Sequence, residues 1–241
     1  MKSTIISSAR LSGSGHEHQK NNIIGVSKKI ILAACLIFAA QLTSAQKINW
    51  GVKAGVGAST FTGDVDNADP LLGYQGGVEA EIRFNQKFAI QPEVLFSAEG
   101  AKTSYHYEDA TGELNTNETV RLNYINVPVL AKYSFSKRFS IEAGPQFGFL
   151  VSAKSKYDVK SDVGGLPINE SGTEDIKDNL NTFNFAAALG ATYFVSEKIF
   201  LQARAFKGLT KINKATDGET SGRANGKIYN AGVQLSVGYK F

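Results

Sequence analysis

The chain has 241 residues and a formal net charge of +4, but its excess positive charge lies outside the part that we expect to fold. Residues 1–45 contain five of the 26 basic and one of the 22 acidic residues, so residues 46–241 hold 21 of each. A domain without net positive charge gives no support for nucleic-acid binding, which requires a basic surface. Cys35 is the only cysteine, and its place in the leader excludes disulfides and thiolate chemistry from the domain that follows.

The N-terminal segment has the pattern of a secretory signal peptide. Lys28 and Lys29 precede an apolar run at 30–40, and small and polar residues follow up to Ala45. This arrangement predicts cleavage between Ala45 and Gln46. The run of about 11 apolar residues is too short for a membrane-spanning helix, which needs about 20.

Three features of this leader leave alternatives open. Residues 1–26 are polar and without a pattern, so Val26 is an alternative start of translation. Cys35 follows Leu-Ala-Ala as in a lipoprotein cleavage box, but the apolar run continues beyond it, which favours removal of Cys35 with the leader. His16 and His18 resemble a pair of metal ligands, although two histidines in an unpatterned tail are a weak basis for a metal site.

Residues 46–241 are predicted to form one all-β domain, because apolar and polar residues alternate in eight segments. These segments lie at about 48–59, 73–84, 88–104, 119–135, 139–156, 181–195, 199–211 and 227–241. Three connections, at 85–87, 136–138 and 196–198, are short, and the others, at about 60–72, 105–118, 157–180 and 212–226, are long. This regular change of length predicts an eight-stranded antiparallel transmembrane β-barrel with short periplasmic turns and long extracellular loops.

Aromatic residues and a proline add detail to this prediction. Aromatic residues beside the short connections predict a girdle at the membrane interface: Phe84, Phe88, Phe135, Phe139, Phe194 and Phe200. Pro92 lies on the apolar face of the third strand, and because proline has no N–H for the ladder, we expect a β-bulge there.

Polar residues that alternate with the apolar ones are predicted to fill the barrel. Both charge signs occur among them, and the set comprises Lys53, Glu79, Glu81, Arg83, Glu93, Glu99, Lys132, Glu142, Arg204 and Lys240. Eight strands leave an interior just wide enough for side chains, and buried charges must be paired. We therefore expect a structural charge network in a filled lumen. A narrow ion or small-solute channel is the alternative.

Sequence similarity supports the same class of protein. Tyr239 and Phe241, on the apolar face of the last strand, resemble the assembly signal that bacterial outer-membrane proteins present to the barrel assembly machinery. The stretches 124–133 (YINVPVLAKY) and 142–148 (EAGPQFG), with the strand at 185–193, resemble the PorT-like outer-membrane β-barrel family of Bacteroidetes-type bacteria. PorT itself is associated with type IX protein secretion, so the resemblance also implies a secretion role as an alternative.

Sequence patterns that could carry chemistry are weak. His106 has Ser104, Glu108 and Asp109 nearby, but close neighbours in a loop rarely converge as a nucleophile, base and orienting acid. The acidic run at 64–69 lacks the glycine and the closing glutamate of a calcium loop, and the run at 222–227 is one residue short of a phosphate-binding loop.

The sequence thus predicts a protein without catalytic, cofactor or metal residues. We expect it to lie in the outer membrane in contact with lipid, with a structural role or a role in binding an unknown extracellular ligand through its long loops. A lipid-modifying barrel enzyme that depends on His106 is a further alternative.

Overall fold

A computed structural model of the protein describes residues 47–65, 67–109, 112–163, 166–214 and 226–241. The predicted signal peptide with its cleavage site, Val26, Cys35, His16 and His18 lie outside these residues, as do Asp66 of the acidic run and residues 222–225 of the run at 222–227. The described residues contain nine strands: β1 (Lys47–Gly63), β2 (Ala68–Arg83), β3 (Phe88–Asp109), β4 (Gly112–Ser134), β5 (Phe139–Val163), β6 (Leu166–Asp175), β7 (Phe183–Phe194), β8 (Ile199–Gly208) and β9 (Ile228–Lys240). A 3₁₀ turn at Lys177–Asn179 precedes β7. No helix within the described ranges has the length and apolar character needed to cross a membrane.

Eight of these strands form a closed ring. Each strand pairs antiparallel with its neighbours in the order β1-β2-β3-β4-β5-β7-β8-β9, and β9 pairs with β1 to complete the circle. The remaining strand, β6, pairs with the far end of β5, outside the ring. The predicted eight-stranded antiparallel barrel is therefore confirmed.

The two faces of the ring differ sharply in polarity. Large apolar side chains point outward and are exposed, for example Leu72 (75%), Val56 (63%) and Leu235 (63%). Polar residues at the alternating positions, such as Gln91 and Glu79, are buried inside the barrel. Because a wide apolar outer surface is stable only against lipid, the ring is a transmembrane barrel.

The three short connections share one construction, which defines the short-turn end of the barrel. Asn85, Ser136 and Ser196 each accept hydrogen bonds, at 2.8–3.4 Å, from the backbone N–H groups two and three residues later. Asn and Ser side chains stabilise tight turns in this way. We call the opposite end, from which the remaining connections emerge, the long-loop end.

At the long-loop end, two strand pairs extend further than the alternation predicts. β3 and β4 remain paired up to Asp109 and Gly112, and β5 continues to Val163, where β6 turns back along it. The predicted bounds 88–104, 119–135 and 139–156 stop short of these extensions. Polar side chains occupy both faces there, so the ladder continues without the period-2 pattern that identifies a strand. The predicted long connection at about 60–72 is also wrong, because β1 ends at Gly63 and β2 begins at Ala68.

The expected bulge at Pro92 is wrong. Pro92 pairs with Val129, and the β3–β4 register is unchanged as far as Leu95 and Asn126. The β2–β3 register shifts instead between Pro70 and Gln75, around Gly73, where an added Cβ would lie 1.9 Å from the carbonyl oxygen of Ala98. The absent side chain of Gly73 thus permits the close approach of two backbones that the irregularity requires.

Two members of the predicted aromatic girdle, Phe194 and Phe200, face the inside of the barrel. The ring of Phe194 lies 5.6 Å from that of Phe200, and Nζ of Lys132 lies 5.8 Å from the centre of the Phe194 ring. Phe200 is only 1% exposed, and its ring fills the space over Gly238, where an added Cβ would lie 2.1 Å from the ring. The prediction failed because Phe200 occupies the inward position of the alternation in β8. Phe84, Phe88, Phe135 and Phe139 are exposed, as an interfacial girdle requires.

The inside–outside assignment can be tested in β9. Leu235 faces lipid near the middle of the strand, whereas the adjacent Gln234 faces the lumen. We expect Leu235→Lys to lower the free energy of unfolding in lipid vesicles by about 2–4 kcal/mol, because a lysine near the membrane midplane loses hydration. Urea titration measures this change. Gln234→Lys is the matched control and should cost less, and equal costs would contradict the assignment.

The role of the last residue is also testable. Phe241 is 70% exposed, its ring lies 5.7 Å from that of Tyr239, and its backbone N–H donates to the carbonyl of Trp50 at 2.9 Å. If Tyr239 and Phe241 form the assembly signal, deletion of Phe241 should reduce the amount of heat-modifiable protein in the outer membrane while export across the inner membrane continues. Wild-type amounts of heat-modifiable protein would refute that role.

Candidate functional site

The centre of the lumen is organised around Arg204 of β8. Its guanidinium group binds Glu93 through two hydrogen bonds, at 2.7 and 2.8 Å, and Glu142 through its Nη2 at 2.7 Å. Lys53 donates to Glu93 at 2.8 Å and to Gln202 at 2.7 Å. The planar guanidinium fork matches two carboxylates at once, which a lysine cannot do. Arg204 therefore joins strands from opposite sides of the ring.

A second group of charges lies between this centre and the short-turn end. Glu81 accepts from Lys240 at 2.8 Å and from Lys132 at 3.2 Å, and its other oxygen lies 2.5 Å from Nε of Arg83. Lys240 also contacts Glu79 at 3.0 Å. Glu81 thus lies among three cations.

Gln91 connects the two groups. It is completely buried, accepts a hydrogen bond from Lys132 at 3.0 Å, and donates to Glu93 at 2.7 Å and to Glu79 at 3.3 Å. Gln202 and Thr192 have a similar role beside Glu142, to which they donate at 2.9 and 3.2 Å. Buried amides and hydroxyls of this kind occupy the lone pairs that the cations leave free.

Charge in this network is balanced. Four cations, Lys53, Lys132, Arg204 and Lys240, lie against four carboxylates, Glu79, Glu81, Glu93 and Glu142, and all eight residues are at most 6% exposed. Arg83 is the exception among the predicted lumenal residues, because a third of its side chain is exposed. Buried charges are tolerated when each has a partner of opposite sign and further hydrogen bonds. Each of these four cations and four carboxylates has a partner of opposite charge.

Further toward the long-loop end, the polar interior contains a carboxylate without a cation. Glu99 is 5% exposed and accepts hydrogen bonds from the side-chain amides of Asn126, at 2.9 Å, and Asn230. In the described part of the chain, no lysine or arginine pairs with it. Two amide donors stabilise this carboxylate in place of a salt bridge.

The long-loop end of the lumen is apolar. Leu122, Tyr124, Leu150 and Ala153 of the strands pack with Ile212, and all five are at most 3% exposed. Ile176 and Leu180, from the segment after β6, pack against this cluster. The segment after β6 and the segment after β8 contact each other beside this cluster. Leu180 forms an isolated β-bridge with Asn213, and the side-chain amide of Asn181 donates to the carbonyls of Lys211 and Asn213 at 3.0 Å. The cluster fills the barrel above the charged layer.

His106 lies far from these buried layers, on the extension of β3. Its Nδ1 lies 2.6 Å from Oδ1 of Asn115 on β4 and 3.8 Å from Glu113. The side chains of His106 and Glu113 are both more than half exposed. Its polar neighbours thus come from the facing strand. Within the described residues, no group of three or more His, Cys, Asp or Glu side chains could hold a metal ion.

The predicted lumenal residues come together in the structure. Gln91 and Gln202 share the polar faces of their strands with Glu93 and Arg204, as the alternation predicts, and the same pattern in β7 could have identified Thr192. Ile212 and Leu180 lie in connections, and no pattern in the sequence indicates that they enter the barrel.

Comparison with known proteins points to one class. The family model for the outer membrane protein beta-barrel domain matches residues 39–214. No curated protein sequence matches the chain at a significant level.

Solved structures give distant similarities. The attachment invasion locus protein Ail of Yersinia pestis is 13% identical, with a TM-score of 0.41 over 80% of this chain and 98% of Ail. Neisserial surface protein A is 12% identical, with a TM-score of 0.38 over 80% and 97%. The outer membrane protease OmpT from Escherichia coli is 9% identical, with a TM-score of 0.35 over 83% and 99%.

The balance of the charge network can be tested at Arg204. We expect Arg204→Met to lower the free energy of unfolding by about 3–5 kcal/mol, because it leaves Glu93 and Glu142 buried without their shared cation. Adding Glu93→Gln should cost less than the sum of the two single changes, which urea unfolding in lipid vesicles measures as a double-mutant cycle. Lys87→Gln, in an exposed turn, should stay within about 0.5 kcal/mol of the wild type. A similarly small effect of Arg204→Met would show that the network contributes little.

Proposed function

The chain belongs to the outer membrane protein β-barrel domain family, and from this premise we propose that it is a closed, non-enzymatic barrel that anchors an extracellular binding surface in the outer membrane. In this orientation the short turns face the periplasm and the long-loop end faces outward. The observation that carries the proposal is the sheet formed by β3–β6 beyond the ring.

The interior of the barrel supports an anchor rather than a path for solutes. Paired charges around Arg204 and Glu81 occupy the middle of the lumen, and the apolar cluster around Leu122 and Ile212 occupies its outer end. Moving an ion through the barrel would require breaking several buried ion pairs and displacing packed side chains. Both costs are large in a medium that excludes water.

The projecting sheet is defined by residues 104–109, 112–120, 154–163 and 166–175. β2 no longer pairs with β3 beyond Thr103, and β7 no longer pairs with β5 beyond Phe149, so the strand partners of these four segments all come from β3–β6. Ten residues of an extended strand span about 30 Å. The sheet is therefore long enough to present a continuous surface well clear of the ring.

The composition of this sheet suits contact with a polar partner. Tyr105 and Ile168 are half-exposed or more, and they lie among charged and amide side chains such as Lys160, Glu118 and Asn115. Tyrosine surrounded by polar groups is typical of binding surfaces. Contacts within the sheet, including Ser155 to Glu118 at 2.6 Å, hold it in one arrangement.

The order of strands leaves two edges of the projecting sheet without a strand partner in the described residues, residues 104–109 of β3 and the strand β6. β6 is the last strand of the described sheet, so its outer backbone groups have no strand partner there. Glu170, Glu174 and Asp175 lie on this strand, and charged residues protect an edge from uncontrolled pairing. An extended segment of a partner could pair with this edge in register.

We also propose that the chain belongs to the PorT-like branch of the family and that it has a role in protein secretion. Both proposals rest on the motifs at 124–133 and 142–148.

The closed lumen is tested first, by single-channel recording. We expect protein purified from the outer membrane of bacteria expressing the full gene, with heat-modifiable mobility as the check of folding, to give no conductance steps in planar bilayers. The charged layer and the apolar cluster both oppose ion passage. Discrete steps whose selectivity changes in Arg204→Met would favour a narrow channel and overturn the proposal.

The binding surface is tested by removing part of it. Thr103 pairs with Glu118, so residues 104–117 can be replaced by Asn-Gly, a pair that forms tight hairpin turns. Cells displaying the wild type should adhere to at least one surface in a panel of immobilised glycans and matrix proteins, and cells displaying the shortened protein should not. Lys87→Gln at the opposite end is the control and should adhere normally. Equal adhesion by wild-type and shortened proteins would contradict a role for this hairpin.

A further inference from the structure

The short-turn end of the barrel opens into a cavity of about 570 Å³ that plays no part in the function proposed above. Six basic residues line it, and together they define what we call the basic cavity: Lys47, Arg83, Lys137, Arg138, Lys198 and Lys240. Among the described residues, only two side chains in this lining carry a carboxylate, those of Glu81 and Glu197. Although residues 46–241 carry no net charge, this cavity has a local excess of positive charge.

The deeper of the two carboxylates does not neutralise the cavity. Glu81 already contacts Arg83, Lys240 and Lys132 at 2.5–3.2 Å, so its single charge is shared among three cations. This arrangement closes the inner end of the basic cavity with the charge network and leaves the remaining positive charge facing its opening.

The cations nearer the opening have no such partners. In the described residues, Lys47, Lys137 and Arg138 form no ion pair, and Lys198 lies over the ring of Tyr239 at 5.5 Å. Lys137 and Arg138 share one short turn, and the hydrogen bonds of Ser136 hold the backbone of this turn at the opening. Several cations around a concave site focus a positive potential into it.

The rest of the lining suits an organic anion. Asn49 and Ser196 offer neutral polar groups, and Phe194 and Phe241 provide apolar wall. The volume lies within the range of about 300–1,000 Å³ that is typical of small-molecule sites. The ligand should therefore carry more than one negative charge and a part that can lie against an aromatic ring.

We propose that the basic cavity binds a phosphate-bearing anion. A phosphate group combines multiple charge with oxygens that an arginine can bind through two parallel hydrogen bonds, and the cavity offers two arginines and four lysines. The phosphate has two potential sources, the headgroup of a lipid in the surrounding leaflet and a soluble organic phosphate. The proposal depends on the short-turn end alone and is independent of the projecting sheet.

Calorimetric titration of the folded, detergent-solubilised protein with inorganic pyrophosphate tests the proposal. We expect saturable binding that weakens as salt concentration rises, because salt screens exposed charges. The double variant Lys137→Gln/Arg138→Gln should bind about tenfold more weakly or worse, since it removes two charge-assisted contacts.

Lys87→Gln provides the matched control. Lys87 lies in the equivalent short turn between β2 and β3 but does not line the basic cavity. This variant should bind pyrophosphate like the wild type, and heat-modifiable mobility establishes that all variants are folded. Absence of saturable binding to the wild type, or an equal loss in Lys87→Gln, would overturn the proposal.

The source of the phosphate is resolved by repeating the titration in lipid nanodiscs. If lipid headgroups occupy the basic cavity, the wild type should bind pyrophosphate more weakly in nanodiscs containing phosphatidylglycerol than in those of phosphatidylcholine, and the double variant should show no such difference. Equal affinity in the two lipids would assign the cavity to soluble organic phosphates.

Discussion

Closure of the sheet between β1 and β9 is the constraint on which the rest of this molecule depends. Hydrocarbon offers no hydrogen-bond partners, so a sheet that crosses a membrane can leave no edge unpaired. With eight strands, the closed ring encloses a space that side chains can fill. Its polar residues must then satisfy one another, and Arg204 does so by binding Glu93 on the opposite side of the barrel and Glu142 two strands away. Closure therefore accounts for both the apolar outside and the paired charges inside.

The filled interior is organised along the barrel axis, and this order separates the two ends chemically. Packed apolar residues around Leu122 close the long-loop end, and a balanced charge network occupies the middle. At the short-turn end positive side chains outnumber negative ones, and residues such as Lys137 and Arg138 line an open cavity with an excess of positive charge. The barrel thus combines a closed centre with two different surfaces, a projecting sheet at one end and an anion-attracting cavity at the other. Each surface can act without transport through the lumen.

Much of the barrel could be predicted because period-2 alternation reports which face of a strand meets lipid. On that basis the sequence predicts that Lys53, Glu93 and Arg204 face the lumen. The same signal fails where both faces of a strand meet water, and so it predicts loops where β3 to β6 extend as paired strands. A different signal failed for Phe200, whose aromatic character suggested the membrane interface although the alternation in β8 places it inside. Residue type and strand register give different positions for this side chain, and the register determines that it faces the lumen.

The sequence by itself determined the number of ring strands, the short turns and the inward or outward position of most side chains, since these depend on local spacing along one strand. Only the tertiary structure decided which charges meet. Lys53 and Glu93 are 40 positions apart, and Arg204 and Glu93 are 111 apart. Such partners are set by the order and stagger of strands around the ring. The entry of Ile212 into the lumen was decided in the same way, because packing against Leu122 and Leu150 depends on distant strands and on no local pattern.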